Sequence, residues 1–96
     1  MTPEKKVKNE VAKLLIQHHV WYFMPVSNGM GRHGIPDFVC CVNGHFLAIE
    51  CKATSKDKTT ALQDRELARI LEAGGTSFVI NDENISFLQR YLDGTA

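Results

Sequence analysis

Asp37, Glu50 and Lys52 are the residues of this chain whose types and spacing could do chemistry. They flank an Asn43-Gly44 dipeptide, with Phe38-Val39-Cys40-Cys41-Val42 before it and His45-Phe46-Leu47-Ala48-Ile49 after it, the strongest short-range signal for a β-hairpin. A two-residue loop pairs Val42 with His45. Counting outward through an unbulged ladder brings Asp37 opposite Glu50, with Cβ atoms about 5 Å apart. Side chains alternate along a strand, so Lys52 shares the Glu50 face. Two carboxylates so placed repel by about 3 kcal/mol at an effective dielectric of about 20, a cost that a fold does not need. Proton uptake, screening by Lys52 or a divalent cation would relieve it, and hard oxygen donors suit Mg²⁺ better than zinc.

The hairpin has to be held by covering elements. Thr2 followed by Pro3 reads as an N-cap with proline at the first helical position, and Val7, Val11, Leu14, Leu15 and His18 recur at helical spacing, which predicts a helix over 3–18. Val20 to Met24 reads as a strand that Pro25 ends. A glycine-rich loop, Ser27 to Gly34, leads to Pro36 and the hairpin, whose strands carry apolar residues on both faces, as strands covered on both sides do. Thr60-Ala61-Leu62-Gln63 has the form of a capping box opening a helix that runs to about Ala73 and stops at Gly74-Gly75. Ser77 to Ile80 is a short fourth strand. Asn81-Asp82 can cap a last helix with Ile85, Leu88, Tyr91 and Leu92 as its apolar stripe. The order is α-β-β-β-α-β-α, an α/β class in which the third strand, its helix and the fourth strand form a crossover unit with parallel strands.

Ninety-six residues with 44% hydrophobic content fit one domain, residues 1–96. No apolar run approaches a membrane span or a signal core, so a cytoplasmic location is expected. Cys40, Cys41 and Cys51 form no Cys-x-x-Cys pair and read as small apolar fillers. The net charge is zero, yet residues 1–60 carry eight Lys/Arg against five Asp/Glu, and residues 61–96 three against six. Lys5, Lys6, Lys8 and Lys13 with Arg32, Lys56 and Lys58 are therefore candidates for meeting a phosphate backbone, with His33 beside Arg32. The segment Gly29 to Gly34 matches a dinucleotide-binding glycine pattern, but a strand follows it rather than a helix, so no helix N-terminus could hold a pyrophosphate.

Two polar residues interrupt apolar stripes. Glu10, three residues after Val7 and four before Leu14, lies on the flank of the first helix's stripe, where it could act as an outer ligand or orient water. Gln63 lies on the line of Leu67, Ile70 and Leu71, so its amide could reach the Asp37/Glu50/Lys52 cluster, although its capping-box place would also explain it.

Gly34-Ile35-Pro36-Asp37 followed by Glu50-Cys51-Lys52, within the ordered set from Glu10 through Gln63, resembles the signature of the PD-(D/E)xK nuclease superfamily. The glycine-rich loop before Pro36-Asp37, Gln63 after the lysine and Ala73-Gly74-Gly75 before the last strand are similar to a minimal stand-alone VRR-NUC domain over nearly the whole chain; the namesake Val-Arg-Arg triplet is absent. The resemblance implies a three-layer α/β/α restriction-endonuclease-like core with a mixed four-stranded sheet, and metal-dependent hydrolysis of phosphodiester bonds. By the same resemblance Asp37, Glu50 and the Cys51 backbone carbonyl would hold Mg²⁺ or Mn²⁺. Lys52 would orient the attacking water or stabilise charge developing on the phosphate, and Glu10 and Gln63 would complete the site. Junction-resolvase-like action on branched or flapped DNA and a homodimer are implied too, and a small stand-alone nuclease suits a phage or mobile element. The alternatives are a simple nicking or restriction-type nuclease, and a non-catalytic nucleic-acid-binding module on the same scaffold.

Overall fold

The computed structural model describes residues 1–26 and 32–94. Helix α1 (Pro3–Gln17) starts where Thr2 caps it, its hydroxyl accepting from the Lys5 amide at 3.2 Å with Pro3 inside the first turn. It ends at His18. His19 takes the left-handed conformation (φ 56°), which lets the Val20 amide return to the Leu15 carbonyl. Strand β1 (Trp21–Phe23) is shorter than the Val20–Met24 reading. Strands β2 (Phe38–Val42) and β3 (His45–Cys51) form the hairpin in the expected register, from Val42 opposite His45 to Phe38 opposite Ile49. Asn43 and Gly44 both have positive φ, 51° and 81°, as a tight two-residue turn requires.

Thr60 and Gln63 form both halves of the capping box that opens α2 (Ala61–Glu72). The chain then returns through β4 (Thr76–Ile80), parallel to β3, to α3 (Ile85–Gly94). The last helix begins three residues beyond an Asn81-Asp82 cap. Those residues turn instead, because the Asn84 side chain accepts from the Asn81 amide and donates to the Val79 carbonyl.

The sheet order is β1-β2-β3-β4, antiparallel up to β3 and parallel between β3 and β4. Helices α1 and α3 cover one face: Val7, Val11, Leu14 and Leu15 with Leu88 and Leu92 pack on Phe38, Cys40, Leu47, Ile49, Cys51 and Ile80. Helix α2 covers the other face, but only over β3 and β4, the two strands it connects. The hairpin is therefore not covered on both sides throughout, as its apolar faces had suggested. On the α2 side of β1 and β2, Trp21, Phe23 and Cys41 are exposed, along with Phe46 at the start of β3. Cys40 and Cys51 are buried fillers as expected; Cys41 is not. Burial pushes the Cys40 and Cys51 thiols up, out of the range of reactive thiolates.

Candidate active site

The site forms where β3 runs out beside the first turn of α2. In β3 the alternation that sends Leu47, Ile49 and Cys51 to the α1/α3 core sends Ala48 and Glu50 to the α2 side, and Glu50 is 4% exposed. Lys52 continues that side just beyond the strand, its amide bonded to the Ile80 carbonyl. Gln63 Nε2 donates to Glu50 Oε2 at 3.0 Å, while Gln63 Oε1 accepts from Lys52 Nζ at 3.0 Å and from the Thr60 amide at 2.9 Å. The two donors to Oε1 fix the amide's orientation, so its N–H must face Glu50. One residue thus caps the helix and ties acid to lysine. Lys52 Nζ also lies 3.6 Å from Glu50 Oε2.

Asp37 sits one residue before β2. Its Oδ2 accepts from the Cys51 amide at 2.9 Å, which fixes it beside the end of β3. Its Oδ1 faces Lys8 Nζ at 3.5 Å, and Lys8 in turn lies 3.4 Å from Glu4 one helical turn away. Gly34 makes this placement possible. At φ +81°, a Cβ there would come within 2.5 Å of the Leu62 carbonyl carbon and oxygen, so only glycine lets the Gly34-Ile35-Pro36-Asp37 segment lie on the first turn of α2.

Burial raises the Glu50 carboxyl to about 7, helped by the negative charge of Asp37 and opposed by Lys52. Burial alone would lower the Lys8 ammonium, but Asp37 and Glu4 outweigh it and hold it above the ordinary lysine value. The result is a partly buried acid pair with an ammonium on each side. Its donors are hard oxygens. Among the described residues no third His, Cys, Asp or Glu joins them closely enough to make a group of three metal-holding side chains. Two carboxylates suit an ion such as Mg²⁺, which keeps several waters and completes its shell from substrate phosphate; the residues present fit such an ion.

The sequence-derived candidates divide. Asp37, Glu50, Lys52 and Gln63 come together, and Cys51 joins them through its backbone amide, which donates to Asp37. Glu10 does not join them: it is exposed on α1, bordering hollows walled by Lys6, Ala53, Thr54 and Asp82 on one side and by Lys13, Gln17 and Ile85 on the other, and it has no hydrogen bond or ion pair to the cluster. The acid that α1 brings near is Glu4, whose charge is felt at Glu50. Lys8, expected only on a DNA-facing surface, is the ion-pair partner of Asp37. A signal for both was present, since Glu4 lies seven residues before Val11 and Lys8 seven before Leu15, on the buried lines of the helix, with the i,i+4 spacing of an ion pair. Arg32 binds Glu66 at 2.6 Å, His33 borders a hollow that reaches Asp37, and Lys5, Lys56 and Lys58 are exposed. Residues 27–31 of the glycine-rich loop lie outside the described residues.

Comparison with known proteins places this geometry in context. The sequence profile of the family described as "Archaeal holliday junction resolvase (hjc)" matches residues 10–73, two thirds of the chain, a span that includes Asp37, Glu50, Lys52 and Gln63. A protein named "Putative nuclease p44", from Acyrthosiphon pisum secondary endosymbiont phage 1, is 39% identical over 57 residues, 58% of this chain; the chain spans about 60% of that relative's length. A solved structure described as "VRR_NUC domain" superposes with a TM-score of 0.75 over 98% of this chain and 94% of that one, at 20% identity, a likeness of fold.

Proposed function

The chain belongs to the archaeal Holliday junction resolvase family, and from that premise we propose that it is a metal-dependent DNA endonuclease hydrolysing phosphodiester bonds in branched DNA, four-way junctions or flaps. The observation that carries the reading is the Glu50–Gln63–Lys52 linkage beside Asp37: a buried acid and a nearly buried ammonium, 3.6 Å apart and locked by one amide, at the end of β3. A purely structural role does not require this expense of buried charge.

Asp37, Glu50 and the Cys51 carbonyl would hold Mg²⁺ or Mn²⁺, which supplies polarisation of the phosphoryl oxygen and a readily deprotonated nucleophile. The protein's own groups do the rest. Lys52 Nζ, held by Gln63 Oε1, is aimed to orient the attacking water or to meet charge developing on the phosphate. Gln63 keeps Glu50 in one rotamer as a hydrogen-bond acceptor. Lys8 holds Asp37 and offers positive charge to an incoming strand, and Lys5, Lys56, Lys58, Arg32 and His33 are the further backbone contacts of the proposal. Cutting both strands of a junction needs two sites in register, so the reading includes a homodimer acting in the host cytoplasm. Among the described residues no helix is long and apolar enough to cross a membrane.

Glu50→Ala and Lys52→Ala test the assignment. Each is expected to lower cleavage at least about a hundredfold while the circular dichroism spectrum stays that of wild type. Full activity in the double variant would refute it, and tight junction binding without any cutting by the wild type would make the chain a binding module.

A further inference from the structure

Beside the half of the sheet that it leaves bare, α2 carries, together with Arg32, a second constellation that the cleavage chemistry does not use. Glu66, its side chain 6% exposed, accepts from Arg32 Nη2 at 2.6 Å and lies 3.4 Å from Arg65 Nε and 3.9 Å from Arg69 Nη1, while the three arginine side chains remain 52–61% exposed. Burial alone would raise the Glu66 carboxyl, but the Arg32 hydrogen bond and the three positive charges outweigh it and hold it below the ordinary range. One buried negative charge beneath three guanidinium groups leaves a positive rim with N–H donors to spare. Next to this rim runs a groove of about 450 Å³, with Arg32, Arg69 and the Glu66 that they neutralise on its polar side and Ile35, Val39, Phe46 and Ile70 as apolar wall and floor. That size is within the range of small-ligand sites, roughly 300–1,000 Å³.

A second hollow shares Arg32, Ile35 and Pro36 with this groove and has Asp37 in its lining, so one short segment borders both the groove and the candidate active site. Gly75 lets Phe46 lie against the end of α2, since a Cβ there would meet the Phe46 ring at 3.1 Å. From Phe46 one cross-strand row runs through Cys41 to Trp21, whose ring meets Phe23 edge-on with centroids 5.8 Å apart. An apolar, aromatic floor beside a guanidinium rim is complementary to a flat base joined to a phosphate. A base inside a duplex hides its faces in the stack, so only an unstacked nucleotide presents one. A second copy of the chain is the poorer occupant, because a two-fold contact through this face would bring two positive rims together.

We propose that this groove takes an unpaired nucleotide of the DNA substrate, its base on Phe46, Val39 and Ile70 and its phosphate at Arg32 and Arg69. The site thereby holds DNA with an unstacked nucleotide near the scissile bond in preference to continuous duplex. This rests on the nuclease reading and names the feature of branched DNA that is recognised. The test is fluorescence-anisotropy binding, in EDTA so that nothing is cut, of a labelled duplex carrying one unpaired nucleotide and of its fully paired counterpart. Wild type is expected to prefer the unpaired nucleotide by about tenfold, Phe46→Ala to bring that ratio to about one while continuous-duplex affinity stays within about twofold, and Arg69→Ala to reduce the ratio as well. Asp37→Ala keeps the preference and loses cutting, so a wild type that prefers the unpaired nucleotide but cuts nothing would sink the nuclease reading and leave the groove standing. Equal binding of both duplexes by wild type would overturn the proposal. So would a full preference retained in Arg69→Ala and in folded Phe46→Ala, or sedimentation showing that Phe46→Ala splits a dimer.

Discussion

Glu50 is 4% exposed, and its nearest positive charge, Lys52, lies 3.6 Å away, an arrangement that makes the metal-free protein sensitive to pH. Its carboxyl titrates at about 7 in the folded state, above the ordinary glutamate value of 4.5. Between these values the folded state binds more protons than the unfolded one, so stability falls as pH rises and the deficit is complete above about 7. Glu50→Gln removes the charge and keeps the acceptor for Gln63. At pH 8 in EDTA it should be more stable than wild type by about 1–3 kcal/mol, with no difference near pH 4, as read by urea denaturation. A divalent cation should erase the gain, since it stabilises wild type and not the variant. Asp37, Glu50, Lys52 and Gln63 were legible because strand alternation and a capping box fix where side chains go. Glu10 misled because an acid on the flank of a helical stripe can turn either way. Glu4 and Lys8 lie closer to the stripe's own line, and only the docking of the helix on the sheet decides which turn meets Asp37.

Each element reaches the site through one or two local devices, and these can be broken singly. Gly34→Ala places a Cβ against the Leu62 carbonyl at a left-handed φ. It should cost at least about 1–2 kcal/mol of stability and reduce cleavage by more than the stability loss explains, because Asp37 is carried on the same segment. Stability from thermal melts set against cleavage rate at a temperature where both proteins are folded separates the two effects. The far ends of α1 and α3 are joined by His18 Nε2 and Asp93 Oδ1 at 2.7 Å. The Asp93 hydrogen bond, with that of the Leu14 carbonyl, raises the His18 imidazole above its ordinary value. The folded pKa is raised, so the stabilisation is full below about 6.5 and is lost as pH rises through the folded value. Asp93→Asn should therefore melt lower than wild type at pH 6 and converge with it by pH 9. Element order, hairpin register and both N-terminal caps followed from Asn43-Gly44, Thr2-Pro3 and Thr60-Gln63. The start of the last helix did not, because Asn81, Asp82 and Asn84 are all residues that can turn or cap, and side-chain bonds to Val79 and Asn81 select among them.

For the molecule as a whole, three layers are complete only over β3 and β4, and the acid–lysine cluster lies at the edge of that completed half. Sequence composition cannot show the bare half, since the strands of a covered and an uncovered hairpin read alike; it follows from α2 being, among the described residues, the only helix on that side, joined in sequence to β3 and β4. Metal dependence, junction selectivity and the acid cluster stand or fall together in one assay: cleavage of a fluorescent four-way junction against matched linear duplex, in Mg²⁺, Mn²⁺ or EDTA, with wild type and Asp37→Ala. Cutting of the junction in preference to the duplex, lost in EDTA and in folded Asp37→Ala, is the predicted result. Cutting that persists in EDTA or in Asp37→Ala, or no cutting of any substrate by folded wild type with either metal, would contradict it.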